Sequence, residues 1–391
     1  MENVATGTTF KEISGRAFGE IPVPIPPLKE QILVADKIEE LFSELDHGIE
    51  SLQKAQAQLK TYRQAVLKHA FEGKLTENWR RQNNPEPAER LLERIKEERE
   101  NYYQKQLEEW QRACEQAEKE GKKKPAKPKK PNTSTNFTDK EIMALPTLPK
   151  NWRWIKAGCL FSFVTSGSRG WAKYYSDHGS IFIRIANLDF DSLKLDLRHD
   201  KIQFVTPPSN AEGTRTKVQP GDFLFSITGY LGMFAIVTNL SNAYINQHIA
   251  LARPINGFIK KYIGYYCISK TGGLFHLNRI QKGATKAGLT LEDIKSFPVP
   301  FCSFLEQTQI VHEIESRLSV CDKLEQIIED SLQKAEVLRQ SILKRAFEGK
   351  LVPQDPGDEP AKKLLERIRA EKAEMEAKTK SIKKKTGKRT R

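Results

Sequence analysis

The sequence predicts an α+β protein that combines one mixed α/β domain with two long helices, which pair as an antiparallel coiled coil. The main observation is an internal repeat. Residues Glu30–Leu75 and Glu306–Leu351 align without a gap at an offset of 276 residues, with 16 of 46 positions identical. The second observation is that the intervening segment, 146–301, alternates short apolar runs with turn residues. A match of this length indicates a duplicated structural unit.

Each copy of the repeat has the apolar spacing of a long helix that needs a partner. Apolar residues recur every seven positions, and the series consists of Ile38, Leu45, Leu52, Leu59 and Val66 in the first copy and of Ile314, Cys321, Ile328, Ala335 and Ile342 in the second. An interleaved series consists of Leu41, Gly48, Ala55 and Tyr62, with Leu324 and Leu338 in the second copy. Seven-residue spacing predicts a helix–helix seam. About 40 residues at ~1.5 Å per residue give a rod of roughly 60 Å.

The direction of pairing follows from where the two helices begin. Each repeat follows a Pro-Val-Pro segment, Pro22–Pro24 or Pro298–Pro300, at which a globular region ends. Parallel helices would crowd both globular regions at one end of the rod, whereas antiparallel helices place them at opposite ends. We therefore expect an antiparallel pair with an approximate two-fold axis, which acts as a spacer.

The segment between the copies predicts one globular domain. Apolar runs bounded by turn residues predict strands, and they lie at Ile181–Leu188, Asp222–Ile227, Met233–Val237 and His248–Ala252. Phe258–Ser269 has the spacing of a helix.

The charge balance favours a polyanionic partner. The formal net charge is +14, and two segments without acidic residues, Gly121–Pro131 and Ser381–Arg391, carry much of the excess. Nucleic acid is such a partner, although basic runs are also typical of solvated tails and cannot specify a sequence. The five cysteines have no paired spacing, and no segment has the pattern of a signal peptide or a membrane span. These features predict reduced thiols and a cytoplasmic protein.

One loop, Thr165–Tyr175, has the composition of a DNA contact, since it combines glycines, small hydroxyls, two cations and three aromatics. DNA-binding surfaces use cations for phosphates and guanine edges, and hydroxyls or amides for other contacts. The predicted DNA-binding residues are Thr165, Ser166, Ser168, Arg169, Trp171, Lys173, Tyr174, Arg184, Asn187, Arg215, Lys217, Lys282 and Lys286. The alternative is a surface loop that its aromatics pin to the core, with solvated cations. Asn246–His248 could equally read adenine or satisfy backbone groups before a strand.

No motif for catalysis is found in the sequence. The glycine-rich cofactor fingerprint and the amino-methyltransferase motif are missing, and no Gly-Lys pair is followed by Ser or Thr, which excludes a P-loop. Asp222, Asp293 and Lys295 match a nuclease pattern only weakly, and no triad or metal cluster has a recognisable spacing. We therefore expect a chain that is not an enzyme and binds no metal or cofactor.

The repeated motifs resemble the specificity subunits of type I restriction–modification systems. The resemblance rests on Ile21–Gln31 and Ala70–Leu75 in the first copy, on Phe297–Pro300 and Ala346–Pro356 in the second, and on Leu148–Val299, which resembles a target recognition domain. It implies a sequence-specific DNA-binding subunit whose helices separate the recognition domains. It also implies partners: double-stranded DNA, two methyltransferase subunits, and restriction subunits for ATP-driven cleavage. S-adenosylmethionine, ATP and Mg²⁺ would belong to those subunits.

The resemblance also divides the chain into segments. We expect a remnant of a first target recognition domain at 1–25, a first helical spacer with a charged helical extension at 26–120, a basic linker at 121–145, a target recognition domain at 146–301, a second helical spacer at 302–375 and a basic tail at 376–391. Gly7 and Thr9 align with Gly283 and Thr285, so only the end of a first recognition domain is represented.

Three origins of this arrangement stay open: a natural half-subunit, a rearranged gene and a mis-set start codon. A second copy of the chain is a further candidate partner, because two chains could restore a bipartite site. The alternative function is an assembly scaffold, or an inactive truncated subunit, that docks methyltransferase subunits without reading DNA.

Overall fold

The computed structural model describes residues 14–128, 130, 137–207, 211–240, 242–280 and 288–386. The chain divides into two compact units, one of Met1–Gln58 with Lys323–Arg391 and one of Leu59–Asp322. The helices are α1 (Gly15–Gly19), α2 (Leu28–Phe71), α3 (Glu77–Asn83), α4 (Ala88–Lys119), α5 (Asp139–Met143), α6 (Ala211–Thr216), α7 (Lys260–Ile268), α8 (Gly273–Ile280), α9 (Leu291–Ser296), α10 (Phe304–Phe347) and α11 (Ala361–Thr386).

The strands all lie in the second unit and belong to three sheets. They are β1 (Arg153–Lys156), β2 (Phe161–Ser166), β3 (Tyr175–Ser176), β4 (Ser180–Ile183), β5 (Phe204–Val205), β6 (Phe223–Ser226), β7 (Phe234–Ile236), β8 (Ala243–Ile245), β9 (Ile249–Pro254) and β10 (Pro298–Phe301). The sheet orders are β1-β10, β2-β9-β6-β7 and β3-β5-β4-β8. Only the β4–β8 pair among them is parallel. The predicted α+β class is confirmed.

The two long helices, α2 and α10, are each 44 residues long and pair in antiparallel fashion. In the first unit, Arg339 on α10 donates to Asp46 on α2. In the second unit, Nη2 of Arg63 on α2 lies 2.6 Å from Oδ1 of Asp322 on α10. Arg63 and Arg339 are equivalent in the repeat, as are Asp46 and Asp322, so each unit contains the same ion pair with the roles of the helices exchanged.

The seven-residue series marks the buried face of α10 but not equally that of α2. All five α10 residues of the series are buried: Ile314, Cys321, Ile328, Ala335 and Ile342. On α2, Val66 is buried and Ile38, Leu45, Leu52 and Leu59 are half-buried. The interleaved residues Tyr62, Leu324 and Leu338 are largely exposed, so the predicted two-series seam is only partly formed. A single helix pair leaves the outer side of such a seam open to solvent.

The central sheet, β2-β9-β6-β7, separates two apolar layers. Successive side chains of a strand point to opposite faces. Accordingly, Phe223 and Phe225 on β6 lie in the larger core, whereas Leu224 between them lies in the smaller one. β9 alternates in the same way. Both faces of the sheet are therefore covered, which holds its strand ends in fixed positions.

Two predicted boundaries differ clearly from the structure, and the predicted charged extension is partly buried. The strand predicted at Ile181–Leu188 ends at Ile183, because the Asn187 side chain accepts a hydrogen bond from the Arg184 backbone N–H (2.8 Å) and closes a 3₁₀ turn. The charged extension α4 buries Leu91 and Ile95 in the larger core, since its apolar residues are four apart on one face. The basic segment predicted as a tail at 376–391 continues α11 as far as Thr386.

A buried carboxylate joins three elements of the second unit. Glu306, near the start of α10, accepts hydrogen bonds from Thr76 Oγ1 (2.9 Å), Arg80 Nε (2.7 Å) and Trp152 Nε1 (2.9 Å). Its side chain is 1% exposed, so these donors replace the hydration that the charge has lost. Burial of an unpaired charge would be very costly, and the three bonds fix α3, α10 and the start of β1 relative to one another.

Removal of one donor should destabilise this unit. We expect Trp152→Phe to lower the free energy of unfolding by about 2 kcal/mol, because a hydrogen bond to a buried charge is lost. Urea denaturation of the full chain would measure this. Trp154→Phe is the matched control, since Trp154 Nε1 donates to the neutral carbonyl of Pro146 (3.0 Å) near the surface. An equal loss in both variants would contradict the role given to Glu306.

His276 on α8 should make stability depend on pH. Burial, and then the charge of Arg279, lower its pKa from 6.5 to about 4. Between pH 6.5 and 4 the unfolded chain therefore binds a proton that the folded chain does not. The preference of the folded chain for neutral His276 therefore does not reduce stability above pH 6.5. As the pH falls from 6.5 towards 4, this preference lowers the free energy of unfolding. Melting temperatures from pH 7 to 4.5 should fall less steeply for His276→Gln than for the wild type, and parallel curves would contradict this.

Candidate nucleic-acid interface

Three loops meet at one edge of the central sheet. The strand register pairs Ser166 with Ala250 and Ser226 with Ile249, which places the ends of β2 and β6 beside the start of β9. Backbone hydrogen bonds extend this register beyond the strands, from Gly167 N–H to Ile249 O (3.3 Å) and from Ile227 N–H to His248 O (2.9 Å). We call residues 165–169, 227–232 and 246–248 the loop edge.

The first loop is held by Arg215 from the end of α6. Its guanidinium donates to Thr165 Oγ1, to the Ser166 carbonyl (2.9 Å) and to Ser168 Oγ (2.8 Å). A Cβ at Gly167 would lie 2.2 Å from the Asn246 carbonyl, so only glycine permits this close approach of the two loops. Arg215, Thr165, Ser166 and Ser168, all predicted to contact DNA, thus form one network that fixes the backbone of the loop.

Two predicted cations beside this network are free to meet a partner. Arg169 follows Ser168 and is exposed. Lys173 is exposed as well, with its Nζ 5.0 Å from the ring centre of Tyr174. Exposed cations on a fixed loop can contact phosphates or guanine edges without paying for the ordering of the backbone.

The third loop supplies an amide and an imidazole. Gln247 Nε2 lies 2.9 Å from His248 Nε2, and His248 Nδ1 lies 2.5 Å from Thr228 Oγ1. The imidazole of His248 thus lies between Gln247 and Thr228 and links the second and third loops. Asn246 is mostly buried and accepts from the His248 backbone N–H (3.0 Å), so it supports the loop. Gln247 is half-exposed and can address an adenine edge.

Two residues predicted to contact DNA are buried instead. Trp171 is 3% exposed and stacks on Phe182, with ring centres 5.1 Å apart, in a small core with Val205 and Tyr244. Its neighbour Tyr174 packs edge-on against it. This is the alternative considered from the sequence, in which the aromatics pin the loop. Trp171 therefore presents almost no surface to a DNA groove.

Asn187 and Arg184 organise the loop that follows β4. Asn187 is fully buried and donates to the carbonyls of Asp196 (2.9 Å) and Lys201 (3.2 Å). Arg184 is half-buried and also donates to the Lys201 carbonyl (3.2 Å). Hydrogen bonds from Arg198 and Lys201 hold the pKa of Asp196 well below its usual range. These groups therefore interact mainly with one another.

One further predicted contact, Lys217, lies outside this network. Lys217 is exposed and forms a backbone bridge with Tyr244. Lys282 and Lys286 fall within 281–287, outside the described residues. The predictions for these three residues stay predictions.

Tyr230 is a residue of the loop edge that we did not predict from the sequence. It is 69% exposed in the turn between β6 and β7. The sequence does contain a signal for this residue, because Gly-Tyr-Leu-Gly lies between two runs predicted as strands. A tyrosine in a turn bounded by glycines is a candidate for binding, since such a turn does not require an aromatic side chain for packing.

The cysteines and the residues that could bind a metal bear on whether the described part of the chain holds a second kind of site. The cysteines Cys114, Cys159, Cys267, Cys302 and Cys321 are free thiols, and burial raises the pKa of Cys159, Cys267 and Cys302. Within the described ranges, no three His, Cys, Asp or Glu side chains converge as metal ligands would. The same residues include no helix with an apolar stretch long enough to cross a membrane.

Comparisons with known proteins agree on one family. Residues 198–334 match the model of the type I restriction modification DNA specificity domain. The type I restriction enzyme EcoBI specificity subunit of Escherichia coli is 26% identical over 97% of this chain and 70% of its own length. The EcoKI specificity subunit of Escherichia coli strain K12 is 25% identical over 98% of this chain and 71% of its own length.

A solved structure that concerns the structural basis of complex assembly and conformational transition of the type I R-M system has a similar fold. The TM-score is 0.58 at 18% identity, and the match covers 88% of this chain. The present chain spans 66% of that solved chain. By its matched domain and these relatives, this chain is similar to the specificity subunits of type I restriction–modification systems, and it shares the fold of the solved structure.

Proposed function

We propose that this chain is a non-catalytic, sequence-specific DNA-binding specificity subunit of a type I restriction–modification complex. The observation that carries the proposal is the loop edge, where the exposed Arg169 projects from a loop whose backbone Arg215 holds in place. Turn 227–232 and residues 246–248, the other two loops of this edge, lie within the matched specificity domain.

The residues in and next to the loop edge divide into supports and contacts. Arg215 and Asn246 orient the backbone, while Arg169 and Lys173 carry charge to phosphates or guanine and the Gln247 amide faces an adenine edge. The net charge of +14 adds a sequence-independent attraction to DNA that weakens as salt rises. Specificity then depends on the few contacts with base edges.

Partners would supply the chemistry. We propose that the chain selects the site in the cytoplasm, and that methyltransferase and restriction subunits bind S-adenosylmethionine, ATP and Mg²⁺. The paired helices α2 and α10 are suited to a spacer because their repeated Asp–Arg pairs fix the register of both halves.

We propose that the target is bipartite and that the first unit has a surface on which another recognition domain can pack. Equivalent residues of the repeat differ sharply in burial. In the second unit, where the domain 146–301 packs, Val299 is 0% and Phe71 7% exposed. Their counterparts in the first unit, Val23 and Phe347, are 64% and 62% exposed. The same apolar surface is thus covered in one unit and open in the other.

The charged helices repeat this difference. Ile95 on α4 is 1% exposed against the larger core, whereas Ile368, at the matching position of α11, is 46% exposed. Similarly, Glu306 accepts from three side chains, and its counterpart Glu30 receives a hydrogen bond from Gln354 (3.3 Å). The start of the long helix, its end and the charged helix all support a second domain-binding surface of the same kind in the first unit.

The alternative is a scaffold, or a form inactive in DNA reading, that docks methyltransferase subunits through these open apolar faces. Selection of bound sites from random DNA, with the chain and its co-purified methyltransferase subunit, separates the two. An interrupted two-part site supports bipartite reading, and a single half-site supports one domain working alone. No enriched sequence would refute the proposal that this chain reads DNA.

Loss of the exposed cation should weaken specific binding. We expect Arg169→Ala to reduce affinity for the selected site about tenfold, because a groove or phosphate contact contributes on the order of 1–3 kcal/mol. Fluorescence anisotropy at fixed salt would measure it. Arg112→Ala is the control, since Arg112 is exposed on α4 and the same charge is lost. Equal affinities of the two variants would contradict the role of Arg169.

A further inference from the structure

The turn between β6 and β7 displays its tyrosine on a rigid support. Ser226 is fully buried at the end of β6, and its hydroxyl donates to the Tyr230 carbonyl. The same hydroxyl accepts from the Met233 backbone N–H (2.8 Å), and the Gly232 N–H donates to the Ser226 carbonyl (3.1 Å). One buried side chain therefore closes the turn from inside.

The conformation of the turn forces Tyr230 outwards. Gly229 and Gly232 have φ values of +74° and +79°, which favour glycine, and a Cβ at Gly232 would lie 2.6 Å from Leu274 Cδ1. Leu231 between them is 5% exposed and packs into the larger core. With Leu231 anchored inwards, the preceding side chain is held on the solvent side.

The position of this ring relates it to the polar groups of the loop edge. Thr228, two residues before Tyr230, contacts His248, which contacts Gln247. The hydrogen bond from Ile227 N–H to His248 O (2.9 Å) ties the turn to the same edge. Ile227 O in turn accepts from Leu289 N–H (2.9 Å). The Tyr230 ring thus belongs to a turn that is linked through Thr228 and His248 to the Gln247 amide, on the same sheet edge as the Arg169 loop.

We propose that Tyr230 is a specificity-determining residue whose ring packs against base edges of the bound DNA, at one or two base pairs next to those that Gln247 addresses. This inference rests on the proposed function and deepens it. Apolar contact with the thymine methyl group is a way to distinguish base pairs in the major groove. A tyrosine also brings a large contact area with only two rotatable side-chain angles, so a pre-formed turn binds with little further ordering.

The test compares sites selected from random DNA by the wild type, Tyr230→Ala and Tyr230→Phe, each as the full chain with its co-purified methyltransferase subunit. We expect Tyr230→Ala to lose roughly tenfold of its preference at one or two adjacent positions, since a mismatched base pair typically has an effect of this size. The other positions should keep their preference, and Tyr230→Phe should select the wild-type site because the ring is retained.

Two controls keep the result interpretable. Phe275→Ala removes another exposed aromatic of the same unit, on α8, and should leave every position unchanged. Melting temperatures of all variants should agree, because the Tyr230 ring is exposed and its loss opens no cavity.

The outcomes separate this inference from the proposed function. An unchanged site for Tyr230→Ala, an equal weakening on all sequences, or loss of preference in Tyr230→Phe would each overturn the inference while DNA reading stands. No enrichment by the wild type would overturn the proposed function and this inference with it.

Discussion

The second unit depends on the buried carboxylate of Glu306. Its three donors come from α3 and from the residue before β1, so the end of the first repeat, the entry to the domain and the start of the second repeat meet at one side chain. The carboxylate is buried, and each donor that it loses leaves the charge less well compensated. Movement of any one of these elements would uncover the charge, which makes their arrangement cooperative.

The internal repeat shows how one local structure serves two environments. Gln31 donates to the Pro26 carbonyl (2.8 Å), and its counterpart Gln307 donates to the Cys302 carbonyl (2.9 Å). The helix ends also match, since Gly73 and Gly349 both have positive φ values. These contacts are local and follow from the repeated sequence. What differs is the apolar surface beyond them, which the domain covers in the second unit only.

The loop edge separates rigidity from recognition. Its supports are glycines and adjoining buried polar side chains, such as Gly167 and Ser226, and its exposed side chains include Arg169 and Tyr230. Sites on fixed backbones can hold a few side chains in a productive geometry, whereas a mobile loop would lose affinity to ordering. The same division accounts for the different roles of two arginines, since Arg215 supports the loop from α6 and Arg169 is exposed on the loop itself.

The sequence alone determined the duplication, the two long helices, their antiparallel pairing and four of the strands, because these depend on periodicity, turn residues and repeated motifs within short stretches of chain. It could not separate buried from exposed members of the Thr165–Tyr175 loop. Trp171 enters a core with Phe182 and Tyr244, and Arg215 reaches Ser168 across 47 residues of chain. Such pairings arise only when distant strands are brought side by side, so the tertiary structure decided which polar residues support the candidate interface and which remain free to bind.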